Sequence, residues 1–441
     1  MSNEITMPGQ VEEIIKRLTD SGYEAYAVGG CVRDSLLNRE PGDWDITTSA
    51  SPRQVKEIFR RTIDTGIEHG TVTVMLGRNG YEVTTYRIDG RYEDCRHPAS
   101  VQFTPSLKED LKRRDFTINA MAYNHESGIV DLFGGMEDLK RKVIRCVGDA
   151  HHRFEEDALR ILRAVRFSAQ LGFEIEEKTR QAVCDLAPSM ARISMERIQM
   201  ELTKLLVSEH PDYIRFAYET GITKVVLPEF DAIMETEQNN PYHCYSVGEH
   251  TLAMLKHCEA DHVLRWTALL HDIGKPLVKT VGSDGCDHFY RHGGAGSRIA
   301  DQILKRLKFD NDTIARVTKL VKWHDYAFNM TKANVRRAMN RVGEELFPSL
   351  LKIMWADNMA KSDYAKIYLL QAVKEVGVMY GQIVAERDCI TLKKLAVTGS
   401  DLIAAGMQPG REIGQILNRM LEDVLDSPEH NTKEYLMQRY I

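Results

Sequence analysis

No apolar run in this 441-residue chain approaches the ~18 residues that a membrane span requires, so a membrane partner is not expected. Its eight cysteines include no C-x-x-C pair, which argues against a zinc cluster or disulfide framework and for reduced, buried thiols. Positive charge is not in excess either. A formal net charge of -6 excludes a polycation that coats nucleic acid, and any RNA contact must be focal, as in "LKEDLKRRD" or "MEDLKRKVIR". The opening stretch "MSNEITMPGQVEEIIKRL" lacks the apolar centre of a secretory leader, so a cytoplasmic location is expected. Internal repeats and low-complexity segments are missing as well.

What is present is a globular composition, 43% hydrophobic and 28% charged, in a chain long enough for several cores. The first part alternates helix and strand: a helix over Val11–Asp20, the strand "YAVGG", a helix from Val32 to Leu37, the strand "DWDITT", a helix over Arg53–Arg61, then the strands "HGTVTVML" and "YEVTTYR". Near Asp149 the pattern turns almost wholly helical. The expected fold class is therefore α+β, with a mixed-sheet head followed by all-α regions. Four segments are expected: a head over 1–145, a helical neck over 146–228, a histidine-dense region over 229–385 and a helical tail over 386–441. In the tail, Ile413, Ile416, Leu417, Met420, Leu421, Val424 and Leu425 share one stripe of a helix that must pack on a partner element.

Chemistry concentrates at "EPGDWDITT". If this is a strand, a period of two aims Asp43 and Asp45 at one face and Trp44 at the other. Carboxylates so close repel unless a metal, an arginine or a proton sits between them. Upstream, "YAVGGCVRD" is a strand that runs into Gly29 and Gly30 and then a helix, whose first amides suit a phosphate. Polyphosphate and paired carboxylates together describe a metal-bound nucleoside triphosphate. Glu82 in "YEVTTYR" alternates against Tyr81 and Val83 and can supply a third carboxylate from a neighbouring strand. Two-metal phosphoryl chemistry uses such a set, with ions ~3.5–4 Å apart.

The motifs "GGCVRD", "GDWDITT", "RRDFTINA" and "EEDALRILRAVRF", in this order and over roughly the first half of the chain, resemble the class II tRNA nucleotidyltransferases, the CCA-adding enzymes and their poly(A) polymerase relatives. That resemblance implies that Gly29 and Gly30, with Arg33, hold a triphosphate. It implies that Asp43 and Asp45 bind magnesium, and that Arg114, Asp115 and Asn119 contact the ribose. The partners it implies are ATP, CTP and the acceptor stem and 3′ end of tRNA. Asp157 and Arg160, at i and i+3, would lie side by side on a helix as acceptor and donor. Cytosine and adenine both present an amino donor beside a ring-nitrogen acceptor and can pair with them. Uracil and guanine present the opposite order and leave groups unpaired, at ~1–3 kcal/mol each. The loop "RIDGRYEDCRHP" from Arg87 to Pro98 looks like the flexible loop of full CCA-adding members, and "TGIEHGTVTV" also resembles them. "ISMERIQMELTKLL" and "VTGSDLIAAGMQPGREIGQIL" resemble the tRNA-gripping neck and tail. Three alternatives stay open: a poly(A) polymerase, a phosphohydrolase whose head only binds RNA, and a non-catalytic RNA-binding protein.

"WTALLHDIGKP" ends an apolar helix on adjacent His271 and Asp272, and His250 lies upstream in "VGEHTL". Imidazoles and a carboxylate from successive helices can cage a metal. The pattern resembles the HD phosphohydrolase superfamily, which implies a later aspartate, with Asp357 chosen over Asp363, and a second metal position from His292 and His324. The residue after His292 is Gly293, where that superfamily often has an acidic one. His243 and His288 receive no role. The implied activity is phosphoester hydrolysis, a 2′,3′-cyclic phosphate being one candidate substrate, with magnesium or a divalent transition metal.

Overall fold

The computed structural model describes residues 4–90, 101–239, 241–283 and 285–441. The chain divides into two compact units, Met1–Pro228 and Glu229–Ile441. The fold class is α+β as the sequence predicts, with one large sheet in the first unit and helices elsewhere. No described helix is long and apolar enough to cross a membrane.

The strands of the first unit are β1 (Ala25–Val28), β2 (Ile46–Thr48), β3 (Thr62–Gly66), β4 (Thr71–Leu76), β5 (Asn79–Thr85), β6 (Arg87–Asp89), β7 (Val101–Phe103), β8 (Met121–Asn124) and β9 (Gly128–Asp131). Seven of them form a sheet ordered β3-β4-β5-β2-β1-β8-β9, in which only β2 and β5 run parallel. β6 and β7 pair separately, and the part of "RIDGRYEDCRHP" from residue 91 on lies outside the described residues. The sequence reading did not find β8 and β9. All four residues of β8 are buried, so it shows no alternation and its run cannot be told from a helix segment by period. A helix, Gly30–Leu36, leaves β1 through Gly29, whose φ of +86° suits glycine; a Cβ there would meet Arg114 Nη1 at 3.0 Å.

One local expectation fails. Asp157 and Arg160 are not on one helix, because the helix Ala150–Glu156 stops at Asp157, which is extended at φ -140° and ψ 101°. The Asp157 carboxylate accepts from the Leu159 amide at 3.0 Å, so the side chain competes with helix continuation and starts the next helix, Leu159–Leu171.

In the second unit the helix His262–Leu270 is buried from Val263 to Leu270, and Trp266 lies edge-on to Phe309 with ring centroids 5.1 Å apart. Its two buried polar side chains are satisfied within the unit, Arg265 by Glu259 O and Thr267 by Val263 O, so the whole helix lies inside. Its C-terminus therefore delivers His271 and Asp272 to the interior. Four more helices surround that point: Val247–His257, His292–Arg306, Asn311–Trp323 and Phe347–Met359. Close backbone approach sets the geometry, since a Cβ on Gly274 would stand 2.5 Å from both Gly296 N and His292 O. In the tail helix Arg411–Asp426, Met420, Leu421, Val424 and Leu425 are buried, and Arg336 donates to the carbonyls of Leu425 and Asp426 at its end.

Gly274→Ala should therefore destabilise the protein by about 1–3 kcal/mol through overpacking, whereas Gly294→Ala, with nothing within 4 Å of its Cβ, should be neutral or slightly stabilising. Urea titration of the two variants checks this.

Candidate functional site

In the first unit Asp43 and Asp45 precede β2 and are not part of it, which corrects the strand expected over "DWDITT". The ladder still reaches Asp45 through its carbonyl, which accepts from the Val28 amide at 3.0 Å. Ile46 pairs with Val83 in the parallel β2–β5 register, so Asp45 stands level with Glu82. Partial desolvation raises the Asp45 carboxyl above its ordinary range, Arg114 opposing this and Asp43 adding to it. Glu82 is raised as well, by desolvation and by Asp45 and Asp43. Three acidic groups are thus gathered with their repulsion only partly compensated by Arg114, which is what a divalent cation with hard oxygen ligands relieves.

Around them the arginines are fixed from below. Buried Asp110 accepts from Thr47 Oγ1 at 3.1 Å and from Arg113 Nη2 at 2.8 Å, with Arg114 Nη2 3.7 Å away. Arg114 points toward Gly29, and its Nε is buried without a hydrogen bond among the described residues. Asp115 and Asn119, expected to meet the ribose, are engaged internally. Arg33 Nη1 donates to Asn119 Oδ1 at 2.7 Å, Asn119 Nδ2 to Asp115 Oδ1 at 3.2 Å, and Arg163 to Asp115 Oδ2 at 2.6 and 2.8 Å. Burial alone would push the Asp115 carboxyl up, but Arg163, with Arg160 and the Asn119 hydrogen bond, more than offsets it and holds the group well below the usual carboxylate range. Asp157 and Arg160 also have protein partners, Arg197 at 2.8 Å and Glu156 at 2.6 Å. The sequence reading missed Asp110, Arg163 and Arg197, since their role is defined by partners 40 or more residues away or by burial that no local pattern reveals.

The second unit holds a tighter cluster. Ligand atoms of His250, His271 and Asp272, and again of Asp272, His292 and His324, lie within 4.8 Å of one another, so Asp272 belongs to both groups. Asp357 joins at His250 Nε2, 2.9 Å away, while Asp363, at 99% side-chain exposure, points to solvent. Each imidazole turns Nδ1 to a backbone carbonyl: His271 to Ala268 at 2.8 Å, His292 to Phe289 at 2.9 Å, His324 to Val321 at 2.8 Å and His250 to Ala360 at 3.3 Å. A carbonyl can only accept, so Nδ1 carries the proton and Nε2 offers its lone pair inward. The Nε2 atoms of His292 and His324 face each other at 3.1 Å. Both Asp272 oxygens and His271 Nε2 are buried with no aligned hydrogen bond among the described residues. This donor set fits a pair of divalent metals.

Lysines hold the cluster's charge. Burial would raise the Asp272 and Asp357 carboxyls, but Lys275 with His271, and Lys361 with His250, keep both well below the ordinary value. Lys275 Nζ is 2.7 Å from Asp272 Oδ2 and Lys361 Nζ 2.7 Å from Asp357 Oδ2. Neither lysine was singled out in the sequence, although the three-residue step from Asp272 to Lys275 was a readable signal. The absence of an acidic residue after His292 also has a physical reason. A Cβ on Gly293 would stand 2.9 Å from Lys322 O, and the carboxylate there is supplied by Asp325, 3.6 Å from His292 Nδ1. His243 packs edge-on to His250 at 4.8 Å, and burial lowers it to about 2, so it is neutral.

Comparison with known proteins gives matches along the whole length. Residues 25–145 match the poly A polymerase head domain, 172–234 the probable RNA and SrmB-binding site of polymerase A, and 294–439 the tRNA nucleotidyltransferase domain 2. The stretch from His250 to His292 falls between the last two. The CCA-adding enzyme of Lactobacillus helveticus is 36% identical over 429 residues, 97% of this chain and 95% of that protein. That of Lactiplantibacillus plantarum is 36% identical, covering 96% and 93%. The crystal structure of the Bacillus stearothermophilus CCA-adding enzyme in complex with CTP superposes with a TM-score of 0.74 at 31% identity, covering 98% of each chain. With this likeness spanning head and helical regions alike, the chain belongs to the CCA-adding enzyme family.

Proposed function

We propose that this protein adds C, C and A to tRNA 3′ ends from CTP and ATP without a nucleic-acid template, releasing pyrophosphate, in the cytoplasm. The observation that carries this reading is the gathering of Asp43, Asp45 and Glu82 beside the Gly29–Gly30 turn, in a chain related end to end to CCA-adding enzymes. Magnesium, when bound, supplies the positive charge that activates the attacking hydroxyl and screens the leaving pyrophosphate. Asp43, Asp45 and Glu82 hold it. Gly29 and Gly30 leave the backbone open to the triphosphate, and Arg33 and Arg114 flank it. Asn119 and Asp115 act through the arginines they fix, on the ribose side. Asp157 and Arg160 read the base edge, exchanging Arg197 and Glu156 for the amino donor and ring acceptor that cytosine and adenine share. On this reading residues 1–145 are the catalytic head, 146–228 the neck that meets base and tRNA, 229–385 an HD region and 386–441 a tRNA-binding tail.

For the second unit the proposal is a metal-dependent phosphoester hydrolase of HD type, held by His250, His271, Asp272, His292, His324 and Asp357. Its support is the inward-facing Nε2 set around a doubly shared Asp272. A divalent metal there, when bound, makes hydroxide available near neutral pH. Lys275 and Lys361 sit where they neutralise carboxylates until a metal enters.

A tRNA transcript lacking its last three nucleotides should gain two residues with CTP alone and three with CTP plus ATP, and none with UTP. Adenylate runs in the absence of CTP would instead make the protein a poly(A) polymerase. Asp45→Ala should reduce incorporation to background with tRNA affinity nearly intact, measured by gel shift. Arg160→Ala should admit UTP before it abolishes turnover, and unchanged selectivity would refute the base-edge pairing. The double substitution His271→Ala/Asp272→Ala should spare nucleotide addition and abolish hydrolysis of a 2′,3′-cyclic phosphate.

A further inference from the structure

Next to the histidine cluster lies a group of solvent-facing aromatic rings that neither reading above employs. Tyr242, Tyr364 and Tyr368 are 44%, 73% and 48% exposed. Tyr242 and Tyr364 meet edge to face with centroids 6.2 Å apart, and the Tyr368 hydroxyl bonds that of Tyr242. Large rings held together in water, where burial was available to the rest of the core, mark a contact surface.

Their anchorage ties them to the metal-ligand set. Ser362 donates from its amide to Tyr242 O at 3.0 Å and from its hydroxyl to Pro241 O at 2.8 Å, which pins the two tyrosine-bearing segments together. On one side of Ser362, Lys361 reaches Asp357, and Ala360 accepts from His250; on the other, Tyr364 opens the helix Asp363–Glu386. His243, beside Tyr242, packs on His250. Tyr242 is thus one residue from His243, which packs on His250, and Tyr364 three residues from Lys361, which bonds Asp357. Lys361 and Lys366 lie three residues before and two after Tyr364, their ammonium groups 2.7 Å from Asp357 and 3.5 Å from Asp363.

We propose that Tyr242, Tyr364 and Tyr368 form a nucleobase subsite of the hydrolytic centre, so that its substrate is a phosphoester-bearing nucleoside with an unpaired base and not a simple phosphate ester. The inference rests on the hydrolytic reading given above. Rings take any base by stacking, which is worth about a fivefold to 150-fold change in affinity per base. Lysines beside them meet the phosphate, and the metal-ligand set lies one short step further. The free nucleotide and the 3′ end of an RNA strand share this chemistry.

The test measures manganese-loaded full-length protein against three substrates: adenosine 2′,3′-cyclic phosphate, an RNA oligonucleotide ending in a 2′,3′-cyclic phosphate, and glycerol 1,2-cyclic phosphate, which has no base. For Tyr364→Ser and for Tyr242→Ser/Tyr364→Ser, KM for the adenosine ester should rise at least about fivefold relative to KM for the glycerol ester. A larger loss on the oligonucleotide identifies an RNA end as the occupant, and equal losses identify the free nucleotide. As a readout independent of turnover, photo-crosslinking of 8-azidoadenosine 2′-phosphate to metal-stripped protein should label peptides containing Tyr242 or Tyr364. Equal KM ratios in parent and variants, with labelling confined to residues 1–228, would overturn the subsite while leaving hydrolysis intact. If the parent protein hydrolyses none of the three esters, the hydrolytic reading fails and the subsite with it.

Discussion

Acidic side chains held closer than their own charges favour are the constraint on which both candidate sites depend. In the first unit Asp45 and Glu82 are brought level by the parallel pairing of β2 with β5, and their carboxyls are raised first by desolvation and then by neighbouring carboxylates that Arg114 only partly offsets. In the second unit the same problem is met internally. Asp272 and Asp357 are deeper, yet each has a lysine at 2.7 Å and imidazoles around it, and both stay ionised. Breaking a buried pair of this kind strands an uncompensated charge at ~3–5 kcal/mol. On the proposed reading, a cation entering the first site would relieve repulsion, whereas one entering the second would compete with a resident ammonium group.

Positioning follows from backbone more than from side-chain packing. Gly29 lets Arg114 approach the strand-to-helix turn, and Gly274, Gly293 and Gly296 let helix backbones come close enough for His292 and His324 to face each other. The four Nδ1-to-carbonyl bonds then fix the tautomers. Most of this ordering is independent of any bound ion, because it uses main-chain acceptors that the helices supply in any case.

The α+β class and the candidate site residues could be read in the sequence because the latter lie in short motifs where glycine, carboxylate and histidine have few other uses. Gly29–Gly30, Asp43 with Asp45, and His271–Asp272 were legible for that reason. β8 was hidden by uniform burial and β9 by the uniform half-burial of its four residues, since either erases the two-residue period. The break at Asp157 was hidden because one side-chain bond to the Leu159 amide decides between helix and turn. Asp325 in place of an acidic neighbour of His292 was invisible for a different reason: it comes from the turn after a separate helix, Asn311–Trp323, and only the lack of room at Gly293 explains the exchange.

That break at Asp157 has a further consequence. A pyrimidine and a purine differ in width, and two readers on one rigid helix would be set at a single span. Here the span between the Asp157 carboxylate and the Arg160 guanidinium is governed by the torsions of one extended residue between two helices. On the proposed base-reading role of these two residues, a single recess would thereby match a narrow ring and a wide one in turn, with no second pocket.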